Sequence, residues 1–195
     1  MERADSLAFD LHKWTSVPYD VGCVLVRDAD AHRRSFTVTA SYLEALDRGP
    51  GSRHNPTNSR GLQLSRGFRA LKVWLSFKEH GLARFGEVAA ECVCQTKRFC
   101  NLVEHADELQ LMAPAPMCIA CFRYAPAAVE GEDLDAINRE ILMRLQEQGI
   151  AVPSSTVIDG HFALRVANTN HRTRDEDLEL LATETVRFGR ELSCD

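Results

Sequence analysis

Asp5-Ser6-Leu7-Ala8-Phe9-Asp10-Leu11-His12-Lys13-Trp14, continued by Thr15-Ser16-Val17-Pro18-Tyr19-Asp20 and then Gly22-Cys23-Val24-Leu25-Val26, decides how the chain begins to fold. Leu7 to Asp10 and Cys23 to Val26 are short apolar runs with turn residues between them, which is a strand pattern. Residues 11–20 are too few for a crossover helix, so the two strands, as neighbours, should be antiparallel. Lys13 then falls at the end of a buried element. A hydrated ammonium is costly there unless it is paired or chemically used, and lysines of that kind form Schiff bases.

Moving outward, Asp28 to Arg34 reads as a short polar helix. Leu46 to Arg60 contains Arg48-Gly49-Pro50-Gly51-Ser52 and Asn55-Pro56-Thr57-Asn58-Ser59 with almost no apolar content, the composition of a long, mobile surface loop. Leu64, Phe68, Leu71 and Leu75 then recur at helical spacing, with Arg66, Arg69, Lys72 and Lys78 off that stripe. His80-Gly81 should end this helix and a second should run from Leu82 to Glu104, the two forming a helical hairpin. Trp14 and Trp74 read as packing groups.

After Asp107 the period changes to that of strands, over Leu109-Gln110-Leu111-Met112 and Met117 to Tyr124, around a Pro114-Ala115-Pro116 break. Leu134, Ile137, Ile141, Leu142 and Leu145 are helical. Ser155 to Ile158 and Phe162 to Val166 are strands joined by Asp159-Gly160, a dipeptide of tight hairpins. Thr173-Arg174-Asp175-Glu176 has the form of a capping box and opens a helix with Leu178, Leu181, Phe188 and Leu192 on one side. The pattern divides the chain into 1–106, with the lysine strand, loop and helical hairpin, and 107–195, a small sheet covered by two helices. Arg165, on the outer face of its strand, reads equally as an anion contact or a surface ion-pair member.

The 195 residues carry 45% hydrophobic side chains, enough for a real core, and a net charge of -5, which argues against a nucleic-acid partner. No stretch reaches the roughly 18 apolar residues of a membrane span, and Met1-Glu2-Arg3-Ala4-Asp5 is too charged for a signal peptide, so the expected location is cytoplasmic. Seven cysteines without a secretory signal do not suggest a disulfide framework. Cys92 and Cys94 lie two apart on a helix, and Cys118 and Cys121 three apart on a strand. Neither pair converges on one ion, so no metal site is expected and the thiols read as structural.

Asp5 to Trp14, with Pro18-Tyr19-Asp20-Val21-Gly22 and Val24-Leu25-Val26-Arg27-Asp28, resembles the cofactor-lysine segment of the group II pyridoxal-phosphate-dependent amino-acid decarboxylases, close to the aromatic-L-amino-acid branch. Gly61-Leu62-Gln63-Leu64-Ser65-Arg66 with Phe68 to Trp74 resembles the family's helix after its mobile loop. Leu164-Arg165-Val166-Ala167-Asn168 with Asn170-His171-Arg172-Thr173 resembles its last strand and the entry to its last helix. The three blocks stand in the family's order and span nearly the whole chain.

The resemblance implies an α/β then α+β architecture: the end of the large cofactor domain of the fold type I (aspartate aminotransferase-like) transferases, over 1–106, followed by their small carboxy-terminal α+β domain, over 107–195. It implies that Lys13 forms the Schiff base with pyridoxal 5'-phosphate, that His12 lies at the cofactor near its phosphate, and that the activity is amino-acid decarboxylation by a carbon-carbon lyase. In the family, the groups that hold the phosphate and the ring precede the lysine, so the chain corresponds to the carboxy-terminal part of such an enzyme. The implied partners are an amino-acid substrate and a second copy, a full-length relative or the missing amino-terminal half. The alternative is a catalytically inactive fragment that serves only as a dimerisation or interaction module. Two departures stand out. Asp10 occupies a position where the family often has asparagine, and a carboxylate beside a phosphate is repulsive unless turned away. Between Leu46 and Gln63 there is no tyrosine to return a proton, and His54 reads as an exposed loop histidine.

Overall fold

The computed structural model describes residues 2–37, 47–49, 57–127 and 132–193. Most of the long loop expected over 46–60, His54 included, lies outside the described residues. The chain divides into two compact units, 1–80 and 81–195.

In the first unit β1 (Ser6–Asp10) pairs antiparallel with β2 (Gly22–Val26), in register from Ser6 with Val26 to Asp10 with Gly22. The short connection allows no other arrangement. The two strands form a sheet of their own, so their apolar side chains lack the cover a larger sheet would give. Leu7, Phe9, Val24 and Leu25 are all exposed. β1 is therefore not the buried element its sequence suggests. Helix α1 (Ala29–Phe36) follows, capped by Asp28, whose Oδ1 accepts the N–H groups of Asp30 at 2.9 Å and Ala31 at 2.8 Å. The Ala31 N–H bond is the main reason the Asp28 carboxyl sits below the usual carboxylate range.

Helix α2 (Arg69–Glu104) starts later than the Leu64 stripe predicts, after a turn in which the Arg69 N–H donates to the Gly67 carbonyl at 2.8 Å. Leu64, Phe68, Leu71 and Leu75 are all exposed, although Leu71 and Leu75 lie within the helix, so the stripe does not mark a buried face. Trp74, read from sequence as a packing group, is 57% exposed. Gly81 interrupts the helix with φ 74° and ψ 152°, a conformation costly for any residue with a side chain. The two helical segments do not make a hairpin within one unit. Residues 69–80 belong to the first and 82–104 to the second, because Phe99, Cys100 and Val103 enter the second unit's core. Compactness thus divides the chain at Gly81, upstream of the change of period at Asp107.

The second unit is an antiparallel four-stranded sheet in the order β3 (Leu109–Leu111), β4 (Ile119–Tyr124), β6 (His161–Ala167), β5 (Ser154–Ile158). Ala120, Phe122 and Tyr124 alternate inward along β4, and Phe122 faces Leu164 of β6 across the ladder. Helix α3 (Glu132–Glu147) covers them with Leu134, Ile141 and Leu145, and α4 (Asp175–Ser193) with Leu178, Leu181, Ala182 and Phe188. The β5–β6 turn places Asp159 at φ 50° and Gly160 at φ 83°, as a two-residue hairpin requires. The cap of α4 is one residue further on than expected: the Asp177 carboxylate accepts the Arg174 N–H at 2.9 Å.

Among the polar side chains buried in this unit, Gln95, Thr96, Asn138, Asn168 and Thr185, one completes the sheet. Pairing of β4 with β6 stops at Phe122, which leaves the backbone of Tyr124 without a strand neighbour on that edge. Asn138 of α3, fully buried, takes the place of the strand. Its Oδ1 accepts the Tyr124 N–H and its Nδ2 donates to the Tyr124 and Leu134 carbonyls, each at 2.8 Å.

Burial pushes the thiols of Cys92, Cys100 and Cys121 up, so they stay neutral at ordinary pH, whereas Cys94 faces outward from the same helix as Cys92. Iodoacetamide on the native protein should therefore modify Cys94 well before Cys92 and Cys100, and denaturant should remove the difference. Equal rates in the native protein, read by peptide mass, would contradict this packing.

Candidate functional site

The connection between β1 and β2 carries the residues that the sequence singles out. Its backbone is closed by the Leu11 N–H to the Val21 carbonyl at 3.0 Å and the Val17 N–H to the Leu11 carbonyl at 3.3 Å, with Val17 and Val21 buried. Two tighter turns lie inside it. The Lys13 N–H donates to the Asp10 carbonyl at 3.3 Å and the Ser16 N–H to the Lys13 carbonyl at 3.1 Å, while the Thr15 hydroxyl donates to the Leu11 carbonyl. Asp at the first position of such a turn and polar residues through it are what this geometry favours. The far end is tied down by Arg69, whose Nε donates to both oxygens of Asp20 at 3.2 Å; this contact holds the Asp20 carboxyl below its ordinary range.

His12 and Lys13 are consecutive on this scaffold. The His12 ring meets Tyr19 edge-on, with centroids 4.7 Å apart, and its Nδ1 accepts the Val21 N–H at 3.1 Å. These contacts fix the plane of the imidazole. Lys13 is not the costly buried ammonium that its sequence context suggests. Its side chain is 64% exposed, and its Nζ lies 2.5 Å from Oδ2 of Asp10. The Lys13 hydrogen bond is the first reason the Asp10 carboxyl is held below the usual carboxylate range.

Asp10 is thus the residue that sequence reading noted only as a departure. The spacing Asp10-x-x-Lys13 at the end of a strand was the available signal, because a tight turn brings such a pair face to face. Arg165 donates from Nη1 to the Ser154 hydroxyl at 3.2 Å on the neighbouring strand.

Residues 1–125 match the family described as pyridoxal-dependent decarboxylase conserved domain. An aromatic-L-amino-acid decarboxylase from Bacillus atrophaeus is 31% identical over 194 residues, which are 99% of this chain and 40% of that protein. Tryptophan decarboxylase 1 from Oryza sativa subsp. japonica is 33% identical over 175 residues, 86% of this chain and 33% of the relative. The crystal structure of Oryza sativa TDC with PLP and tryptamine superposes with a TM-score of 0.88 at 28% identity, covering 98% of this chain and 40% of that one. The chain therefore has the fold type I architecture and spans between a third and two fifths of the length of these relatives.

The cofactor of the family is pyridoxal phosphate, and the donor set on the β1–β2 connection fits its aldehyde end. A primary amine stands exposed on a hydrogen-bonded turn, with an imidazole fixed on the adjacent residue. With residues 1–125 of the 195 matched by the family and 98% of the chain superposing on a solved relative, the chain belongs to the pyridoxal-dependent decarboxylase family.

Proposed function

We propose that this chain supplies the cofactor lysine of a pyridoxal-phosphate-dependent amino-acid decarboxylase, with Lys13 as the residue that bonds the cofactor and His12 beside it. The observation that carries the reading is the exposed Lys13 amine on a backbone-locked turn, next to an imidazole held by Val21 and Tyr19. Bound there, pyridoxal phosphate would supply an aldehyde for covalent capture and a ring that accepts the electrons left as carbon dioxide departs. Lys13 would hold the cofactor through its amine, which the structure leaves exposed to an incoming group. His12 presents a ring whose orientation is set before anything binds. The sequence relatives, an aromatic-L-amino-acid decarboxylase and a tryptophan decarboxylase, support an amino acid as substrate, and a cytoplasmic location goes with the proposal.

The test uses the chain's four lysines, Lys13, Lys72, Lys78 and Lys97. The protein is incubated with pyridoxal phosphate, reduced with borohydride and mapped by peptide mass. Lys13 is expected to carry most of the adduct, and equal labelling of all four overturns the reading.

Association is part of the same proposal. Among the described residues, Leu7, Phe9, Val24, Leu25, Leu71, Trp74 and Leu75 leave apolar surface on the first unit and β1 and β2 pair only with each other, which favours a second copy, a full-length relative or the remainder of a decarboxylase as cover. This is also the observation that favours the second reading, an interaction module without catalysis. Sedimentation should show species larger than one chain; a well-dispersed monomer would contradict both forms of association.

A further inference from the structure

We propose that Asp10 is the positioning residue of Lys13, holding the amine as an ion pair at the end of β1 until a carbonyl compound displaces it, and so setting how fast Lys13 is captured. The inference rests on the reading of Lys13 as the cofactor lysine. Three observations carry it. The Lys13 Nζ to Asp10 Oδ2 distance of 2.5 Å is that of a close charge-assisted hydrogen bond. The two residues are joined by their own turn, so the backbone places the pair before any side chain moves. The other carboxylate oxygen, Oδ1, faces Gly22, the residue paired with Asp10 across the ladder, at 3.6 Å from where a Cβ would stand, an ordinary contact distance, so the carboxylate sits against the ladder.

The pair is chemically consequential because an ammonium on a carboxylate is not a nucleophile. Imine formation needs the neutral amine: the nitrogen lone pair bonds the carbonyl carbon, the nitrogen's protons are lost, and the carbonyl oxygen leaves as water. Lys13 Nζ must leave the Asp10 carboxylate before its nitrogen can bond a carbonyl carbon, and so Asp10 slows this step. Both side chains are well exposed, at 64% for Lys13 and 37% for Asp10, so the hold is of the modest, reversible kind.

The experiment measures the initial rate of borohydride-trapped adduct at Lys13 at neutral pH in the full chain and in Asp10→Asn and Asp10→Glu, with pyridoxal phosphate and, separately, with pyridoxal, which has no phosphate. Asp10→Asn is expected to raise the Lys13 rate by about two- to fivefold with both aldehydes, the range of an exposed ion pair. Asp10→Glu, which restores the charge, is expected to return it towards the starting rate. A gain with pyridoxal phosphate alone means that Asp10 acts on the phosphate, and overturns the proposal. So does an unchanged or slower rate in Asp10→Asn while Lys13 remains the labelled lysine. Absence of Lys13 labelling in every protein overturns the reading of the lysine itself, and the role of Asp10 with it.

Discussion

Lys13→Arg is expected to abolish the reduced pyridoxal phosphate adduct in the peptide that contains residue 13, and to lower total incorporation by about an order of magnitude, to the level of exposed amines. Arginine keeps the positive charge and can keep the ion pair with Asp10, so the turn that carries residue 13 should survive. What it lacks is an amine that forms a stable bond to an aldehyde. The substitution therefore separates the chemistry of Lys13 from its charge. Only Lys72, Lys78 and Lys97 and the chain's amino terminus remain as competing amines, and Lys78 already lies 5.9 Å from the Trp74 ring. Residual labelling should be spread among them. Undiminished incorporation in Lys13→Arg, measured by mass and by absorbance of the bound chromophore, would place the cofactor elsewhere.

The largest expected effect on stability comes from Asn138→Ala. The change removes little apolar contact but strips the Tyr124 N–H and carbonyl of their partners in a site closed to solvent. Each unmet buried polar group costs about 1–3 kcal/mol, which puts the loss at roughly 2–5 kcal/mol for the pair. In a unit of this size that lowers the midpoint of thermal unfolding by about 10–20 °C. Asn138→Asp should not rescue it, because a carboxylate can accept the Tyr124 N–H but sets an oxygen against the Tyr124 and Leu134 carbonyls. Unfolding followed by circular dichroism tests both. A near-neutral Asn138→Ala would show that water enters to satisfy Tyr124.

The second unit is legible in the sequence because its patterns describe residues that are in fact buried. The alternation Ala120, Phe122, Tyr124 and the helical spacing of Leu134, Ile141 and Leu145 mark the two faces of one core, and Asp159-Gly160 makes the turn its composition demands. Asn138 escaped notice although it stands four residues after Leu134, on the same face. Apolar periodicity reports where side chains are dry, and a buried amide is dry for a different reason: it completes a sheet edge that only the fold reveals. The first unit is less legible for the opposite cause. Leu64 and Phe68 continue a helical stripe, yet the helix begins at Arg69, and the exposed Leu71 and Leu75 inside it show that apolar spacing here reports neither burial nor the helix start. At the site, His12 and Lys13 are consecutive residues in a family motif, which sequence displays directly. The ion pair of Lys13 with Asp10 depends on a turn, which it does not.

The isolation of the β1–β2 sheet has a thermodynamic consequence. A pair of strands with exposed apolar side chains is marginal by itself in water, so the ordered form of the lysine turn is only weakly favoured by the hairpin's own contacts. Whatever binds the ordered form and not the disordered one adds RT ln(1 + [L]/Kd) to its stability. On the proposed role of Lys13, occupancy and local order there would be linked quantities, and saturation would itself be a folding reaction of the hairpin that carries it.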